Sequence, residues 1–553
     1  MVKVRREAFA VPACVESCPA GIDVPRYIRC IKQGKFAEAL AVVRERLPLP
    51  VVCAHACLAP CEDACAYKQF GEPIAIRALK RFAVSHGTER WKKKRQLAAK
   101  TGRKIAIVGA GPAGLTAAYY LLTLGHEVTI YDSLPKPGGT LRYGIPHYRL
   151  PEEELDRDIK EITDLGVIFK LNTIIGKDIS LAELKKQYDA VFLAAGANKS
   201  VRIDLEGAEK TGVLWGLEFL RDIALGKKVV TKDDVIVIGG GNVAIDVALT
   251  AKRLGAKKVS VVCLEKEEEM PALDWEVARA KEEGVTIYNS WGPARVKGDK
   301  NVESVEFVKC TSVFDKAGNF KPIYDEKTTK TLPAGCVILA IGQAADLDFL
   351  GKGNGVKANG RAVRVDEQTL ATDEAGIFAG GDIVTGPTSI IAAVAQGRKA
   401  AVSIDKYLGG RGVIEEKLAT QEKEVELPEF VIEAKSRSPM PLLDVEDRID
   451  NFEQIEEGFS KKQAVAEAGR CLACDARRFE VVVYPDNCKE CGYCLEVCQL
   501  KIAAPSNNYN AKGYRPVAVK DATKCVGCLK CFFACPDYAI DVRETSGLNG
   551  GGA

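Results

Sequence analysis

Residues 104–132 read KIAIVGAGPAGLTAAYYLLTLGHEVTIYD. The stretch predicts a strand, a glycine turn, a helix and a second strand. Ile105 to Val108 is a short, mostly β-branched run suited to a buried parallel strand. Gly109, Gly111 and Gly114 set G-x-G-x-x-G at the strand-to-helix turn. Gly109 permits the tight turn, Gly111 lets the backbone approach a pyrophosphate, and Gly114 lets helix and strand pack closely. The helix N-terminus offers free N–H groups and a partial positive charge to phosphates. The second strand, Glu127 to Tyr131, ends at Asp132, 23 residues after Gly109, where a carboxylate can bind a ribose. The stretch reads as a dinucleotide-binding unit with its parts in order.

Downstream, LPKPGGTLRYGIPHYRLP (134–151) is rich in Gly and Pro. Gly138 and Gly139 allow close backbone approach to a flat ring system, with Leu141 and Arg142 beside them. The strand-like YDAVFLAAGA (188–197) closes this part at Gly196. A second unit begins at Asp234. Its turn, GGGNVAIDVA (239–248), carries G-x-G-x-x-A at Gly239, Gly241 and Ala244, with Asn242 opening the helix. Its next strand, KVSVVCLE, ends at Glu265. An acid there favours a 2′-hydroxyl and so NAD(H), whereas a 2′-phosphate needs a nearby Arg. Lys266 follows directly and softens that preference. The chain then returns through CVILAIGQAAD to AGIFAGGDIVTG, where Gly380, Gly381 and Asp382 form a turn feeding a helix. One dinucleotide fold inserted in another is the most economical reading: 101–200 with 343–410 for the first, and 201–342 for the second.

The chain ends are marked by cysteine. Sixteen of the 20 cysteines fall in C-x2-C or C-x3-C spacings, which in a large chain of a reducing compartment means metal. Residues 1–100 predict a helical domain. It holds Cys14 and Cys18, then Cys53, Cys57, Cys61 and Cys65 at spacing x3, x3, x3. The latter four fit one [4Fe–4S] cluster, with zinc, and His55 as a spare ligand, as the alternative. Residues 411–477 read as a linker with some helix at 461–469, ending in Cys471 and Cys474. Residues 478–553 carry C-x2-C-x2-C-x3-C twice, an α+β ferredoxin signature. Crossed ligation assigns Cys488, Cys491, Cys494 and Cys535 to one cluster, and Cys525, Cys528, Cys531 and Cys498 to the other. Cys30, Cys263, Cys310 and Cys336 read as packing residues. The tail, 546–553, is expected to be mobile.

Bulk properties limit the alternatives. The 553 residues are 47% hydrophobic and 28% charged, with net charge +3, which gives no reason to expect nucleic acid or an anionic membrane. No apolar run is long enough to span a bilayer, and the first residues lack an apolar signal core, so the expected location is the cytoplasm.

VGAGPAGL, PGGTLRYGIPHYRLP, VIGGGNVAIDVA, EMPA (269–272), AIGQ and FAGGD together resemble the small subunit of NADPH-dependent glutamate synthase and its relatives. Those relatives include the flavin–NAD(P) part of dihydropyrimidine dehydrogenase and the large subunit of NADH-dependent ferredoxin:NADP oxidoreductase. The resemblance implies FAD in the first unit, NAD(P)H in the second, and iron–sulfur clusters in the helical domain. The family's R-C-L-x-C element, normally ahead of the C-x3-C-P pair, stands here at Arg470 to Cys474. This implies a cluster built from both chain ends, pairing Cys14 and Cys18 with Cys471 and Cys474, and four [4Fe–4S] clusters in all. NADPH-using relatives resemble Tyr-Arg-Arg where this chain has Cys263, Leu264 and Glu265, which strengthens the NAD(H) reading. The chemistry expected is hydride exchange between nicotinamide and flavin, with single electrons passing through the clusters. No substrate-reducing module is visible. The expected partner is a catalytic oxidoreductase subunit in a hetero-oligomer, or a ferredoxin. A free-standing, possibly bifurcating ferredoxin:NAD(P) oxidoreductase and a glutamate synthase small subunit are the alternatives.

Overall fold

The computed structural model describes residues 2–5, 11–229, 231–351, 355–427 and 435–545. The tail expectation, at 546–553, lies outside the described residues.

Two five-stranded parallel sheets organise the centre. In the first, the strand order is 377–379, 190–193, 104–108, 127–131, 168–170. In the second it is 286–289, 258–263, 234–238, 336–339, 213–215. The chain leaves the first sheet after Leu193, builds the whole second sheet, and returns with Ile377–Ala379 beside Ala190–Leu193. Each glycine turn follows the central strand of its sheet. Ile105, Ile107, Val237 and Ile338 are fully or almost fully buried, as strands covered on both faces require. The helices Pro112–Thr123 and Ile390–Tyr407 pack on the first sheet. Pro112 stands in the first turn of its helix, where its missing N–H costs nothing. An antiparallel sheet of 291–297, 304–314 and 320–333 extends from the second unit.

The first hundred residues form short helices, with Val24–Lys32, Phe36–Arg44, Pro50–Ala56 and Ile76–His86 around a core of Tyr27, Ile31, Leu47, Leu49 and Phe82. The basic stretch after residue 88 packs on the helical domain through Trp91. Trp91 is buried under the Arg44 guanidinium, 4.2 Å from its ring centre.

Strand pairing joins the N-terminal segment to the linker. Val2–Arg5 runs antiparallel to Glu424–Leu427, and Val425 and Leu427 pack with Ala473 and Ala476. Lys461–Gly469 is a helix capped by Ser460 and Gln463. The last unit pairs Phe479–Val483 with Ile540–Glu544, and Ala503–Pro505 with Val517–Val519. Among the described residues, no helix is long and apolar enough to cross a membrane.

Candidate functional site

A cavity of about 530 Å³ opens over the first glycine turn. Gly109, Gly111, Asp132, Gly139, Leu141, Gly196, Gly381 and Asp382 all line it. At Gly109 the φ of +107° and a Cβ position 2.3 Å from the Ala194 carbonyl oxygen admit only glycine. At Gly111 a Cβ would meet no protein atom within 4 Å, so the space over the helix N-terminus is open to a ligand. The Asp132 carboxylate faces this cavity and is tied to the turn. It accepts the Ala110 N–H at 2.7 Å and the Leu134 N–H at 2.9 Å. Burial pushes its carboxyl up, and these two bonds oppose the shift. Asp382 is also pushed up by burial, against hydrogen bonds from the hydroxyl and N–H of Thr388. The cradle is open, lined by glycine backbone and headed by a helix N-terminus, and it fits a dinucleotide.

Gly114 packs as its place in the motif requires, whereas Arg142, grouped with this site by sequence, does other work. Gly114 lies behind the cavity, its Cβ position 2.0 Å from the Gly109 carbonyl oxygen, so it sets the helix against the turn. Arg142 does not line the cavity. It is buried, donates to the Pro137 carbonyl at 2.8 Å and Glu152 at 2.7 Å, and pairs with Asp156. Its guanidinium braces the loop that carries Gly139 and Leu141. Sequence reasoning missed Thr388, Ser389, Val243 and Gln343, all on the cavity wall. Ser389 could have been found as the N-cap of the helix 390–407, since its hydroxyl accepts the Ala392 N–H. Val243 comes from the second unit, and Gln343 lies where the chain returns to the first and pairs with Ser200, so only the tertiary arrangement brings them here.

At the second turn, Gly239 mirrors Gly109, with a Cβ position 2.3 Å from the Ala340 carbonyl oxygen. Gly241 is as open as Gly111, while Asn242 starts the helix 242–253 and Ala244 is buried beneath it. Glu265 stands over this turn, its Oε2 2.6 Å from the Cβ position of Gly240. Its carbonyl is held by the Ser290 N–H at 3.0 Å and the Asn289 side chain at 3.3 Å.

The sixteen thiols gather in four sets. One cavity of about 180 Å³ is lined by Cys488, Cys491, Cys494 and Cys535. Burial and the charges of Cys488, Cys491 and Cys535 push the Cys494 thiol up to about 11. Cys531 is pushed up to about 12 by burial and by Cys525, Cys528 and Cys498.

The N-terminal domain departs from the pairing by sequence neighbours. A small cavity of about 30 Å³ is lined by Cys14, Cys65, Cys471 and Cys474. Burial raises the Cys14 thiol first, followed by Cys474, Cys471 and Cys65. Cys18 instead joins Cys53, Cys57 and Cys61: burial pushes the Cys53 and Cys61 thiols up, and Cys57 and Cys18 add to both rises. Cys18 and Cys65 therefore exchange places relative to the sequence expectation. The reason is local: the helix Ala13–Glu16 stops before Cys18, and the helix Pro60–Asp63 stops before Cys65, so each last cysteine turns from its own run. The Arg29 guanidinium, bonded to Asp475 at 2.6 and 2.7 Å, pins the Cys471–Cys474 turn against the helix 24–32. Four thiols around a shared space, with Cys57 Sγ accepting the Ala59 N–H at 3.4 Å, fit an iron–sulfur group. The thiols ring a space instead of converging on a point. Among the described residues, no three His, Cys, Asp or Glu side chains are placed to hold a single metal ion. Cys30, Cys263, Cys310 and Cys336 are buried elsewhere in the fold.

Residues 103–397 match the family model of the pyridine nucleotide-disulphide oxidoreductases. The chain belongs to that family. Residues 7–92 match the model described as dihydropyrimidine dehydrogenase domain II, 4Fe-4S cluster. Among the described residues, no cysteine lines the cavity over the first glycine turn. Among similar proteins is the NADP(+)-dependent formate dehydrogenase subunit beta of Moorella thermoacetica, 38% identical over 84% of this chain and 71% of that one. The NAD-dependent dihydropyrimidine dehydrogenase subunit PreT of Salmonella typhimurium is 36% identical over 71% of this chain and 91% of its own. The glutamate synthase [NADPH] small chain of Escherichia coli is 33% identical over 72% and 89%. The chain is thus a flavin- and iron–sulfur-dependent NAD(P)(H) oxidoreductase of the electron-transfer-subunit type.

Proposed function

We propose that the chain exchanges hydride between NAD(H) at the second glycine turn and FAD at the first. Single electrons then move between that flavin and a partner catalytic subunit through four [4Fe–4S] clusters. The observation that carries this reading is the gathering of Cys14, Cys65, Cys471 and Cys474 around one cavity, which joins the flavin side to the segment leading into the ferredoxin-like unit. The ligand sets we assign are these four; Cys18, Cys53, Cys57 and Cys61; Cys488, Cys491, Cys494 and Cys535; and Cys498, Cys525, Cys528 and Cys531. The units are the helical domain 1–100, the FAD unit 101–200 with 343–410, the inserted nucleotide unit 201–342, the linker 411–477 and the ferredoxin unit 478–553.

When bound, the flavin takes up an electron pair as hydride and releases electrons singly to the iron–sulfur groups. The protein's part is positional. Gly111 and the helix 112–123 receive a pyrophosphate, and Asp132 receives a ribose. Gly139 and Leu141 offer backbone and an apolar face to the ring, while Val243 and Gln343 bound the cavity on the nucleotide side. Asp158, on the flavin-side helix 152–163, accepts the Val52 N–H at 3.0 Å and so fixes the helix that carries Cys53. This supports an order in which the Cys53 set stands next to the flavin unit and the composite set leads outward.

Glu265 over the second turn supports NAD(H), because a carboxylate there repels a 2′-phosphate. The relatives by name use either nucleotide. Their names as subunits or chains support a hetero-oligomer, which we place in the cytoplasm. Anaerobic iron analysis should give about sixteen irons per chain by the four-cluster count; about twelve would remove the composite cluster. Steady-state rates with NADH and NADPH should favour NADH, and Glu265→Arg should move the preference towards NADPH. A native protein that already prefers NADPH would refute the Glu265 argument. Full NADH–ferredoxin activity without a co-purifying subunit would refute the catalytic-partner reading.

A further inference from the structure

The helix Ile76–His86 carries a buried charge at Lys80. Lys80 is 4% exposed. Arg77 and Arg81 flank it in sequence, but their guanidiniums turn to Glu456. Among the described residues no carboxylate pairs with the Lys80 ammonium. The helix 76–86 packs on the helices Pro50–Ala56 and Pro60–Asp63, which carry Cys53 and Cys61. Burial opposes the Lys80 charge, and Cys57, Cys53, Cys61 and Cys18 are the groups that sustain it. The composite set has different neighbours. There Arg29 is already paired with Asp475 and Glu422, and Arg470 with Glu467.

A buried ammonium without a counter-ion is strongly disfavoured. We propose that Lys80 is the counter-charge of the iron–sulfur group held by Cys18, Cys53, Cys57 and Cys61, and makes it the easier of the two N-terminal groups to reduce. The inference rests on the ligand assignment above. Adding one electron makes the site one charge more negative, and a fixed cation beside it favours that form. Lys80 keeps its proton throughout. At an effective dielectric of about 20, two unit charges even about 10 Å apart bias an equilibrium by roughly tenfold.

The test is a redox titration followed by electron paramagnetic resonance on the full chain, with iron analysis in parallel, for the native protein, Lys80→Met and Lys80→Arg. K80M should lower one midpoint by at least tenfold in equilibrium, about 59 mV for a one-electron couple. The moved signal should be the one that Cys18→Ala removes. K80R should match the native protein. Unmoved midpoints in fully loaded K80M would overturn the proposal. So would a K80R shift as large as that of K80M, because packing rather than charge would then be responsible. Loss of about four irons from K80M alone would support the charge, since K80R retains it, whereas loss from both variants would overturn it. A native protein short of about sixteen irons would instead break the ligand assignment, which is a separate failure.

Discussion

Glu456→Gln removes one charge at a point where three parts of the chain meet. Arg77 donates to both Glu456 oxygens at 2.8 and 2.9 Å, Arg81 to one at 3.1 Å, and Arg279 to the other at 3.3 Å. Arg77 and Arg81 belong to the helical domain, Arg279 to the nucleotide unit, and Glu456 to the linker. All four side chains are nearly buried, so glutamine would leave three guanidiniums without a counter-charge. Breaking a buried pair from one side costs about 3–5 kcal/mol. A chain of several units has no single unfolding free energy, so the loss should be read locally by hydrogen exchange. A loss of about 3 kcal/mol corresponds to about 150-fold faster exchange, expected at residues 76–86, 274–282 and 442–458. The ferredoxin unit, 479–544, should stay unchanged. The pH dependence has a definite sign. Burial opposes ionisation, but Arg77, Arg279 and Arg81 hold the Glu456 carboxyl far below the usual carboxylate range. Its contribution is therefore present above the unfolded value of about 4.3 and is lost as pH falls towards the folded one. The native protein should lose protection on acidification below about pH 4, and the variant should lack that component. Exchange within threefold of native at 76–86, or acceleration spread equally into 479–544, would refute the reasoning.

Two further outcomes follow from single residues. Gly109→Ala would force a Cβ to 2.3 Å from the Ala194 carbonyl at a φ of +107°. The variant should purify with little flavin absorbance per chain; native flavin content would refute the close-approach argument. Asp158 is fully buried, and burial raises its carboxyl to about 7 despite Arg44 and the Val52 N–H. A raised folded value means its stabilising contribution is present at low pH and is lost as pH rises through 7. Asp158→Asn keeps an acceptor for the Val52 N–H, so its Tm relative to native should climb from pH 5 to pH 8. A Tm difference independent of pH would refute this.

Much of the site was legible because its chemistry is local. A glycine turn needs its three glycines within six residues, so Gly109, Gly111 and Gly114 declare themselves, as do Gly239 and Gly241. Asp132 and Glu265 follow because a parallel strand must end near the neighbouring turn. The cavity wall from Val243 was not legible, since it exists only where two units face each other. Arg142 was read as a cofactor contact because it stands in the right motif. Its side chain instead turns back to Glu152 and Asp156, and sequence spacing does not report side-chain direction.

The thiols divide along the same line. Sequence spacing by itself determined that sixteen cysteines sit in runs suited to shared ligation, because a ligand run requires only a short stretch of chain. Which thiols share a site was decided by the tertiary structure. The helices 13–16 and 60–63 end two residues short of Cys18 and Cys65, so neither helix holds its last cysteine with its own run. The strand pair 2–5 with 424–427 and the Arg29–Asp475 bridge bring Cys471 and Cys474 back to Cys14. Partners more than 400 residues apart are chosen by packing and pairing, which local spacing does not encode.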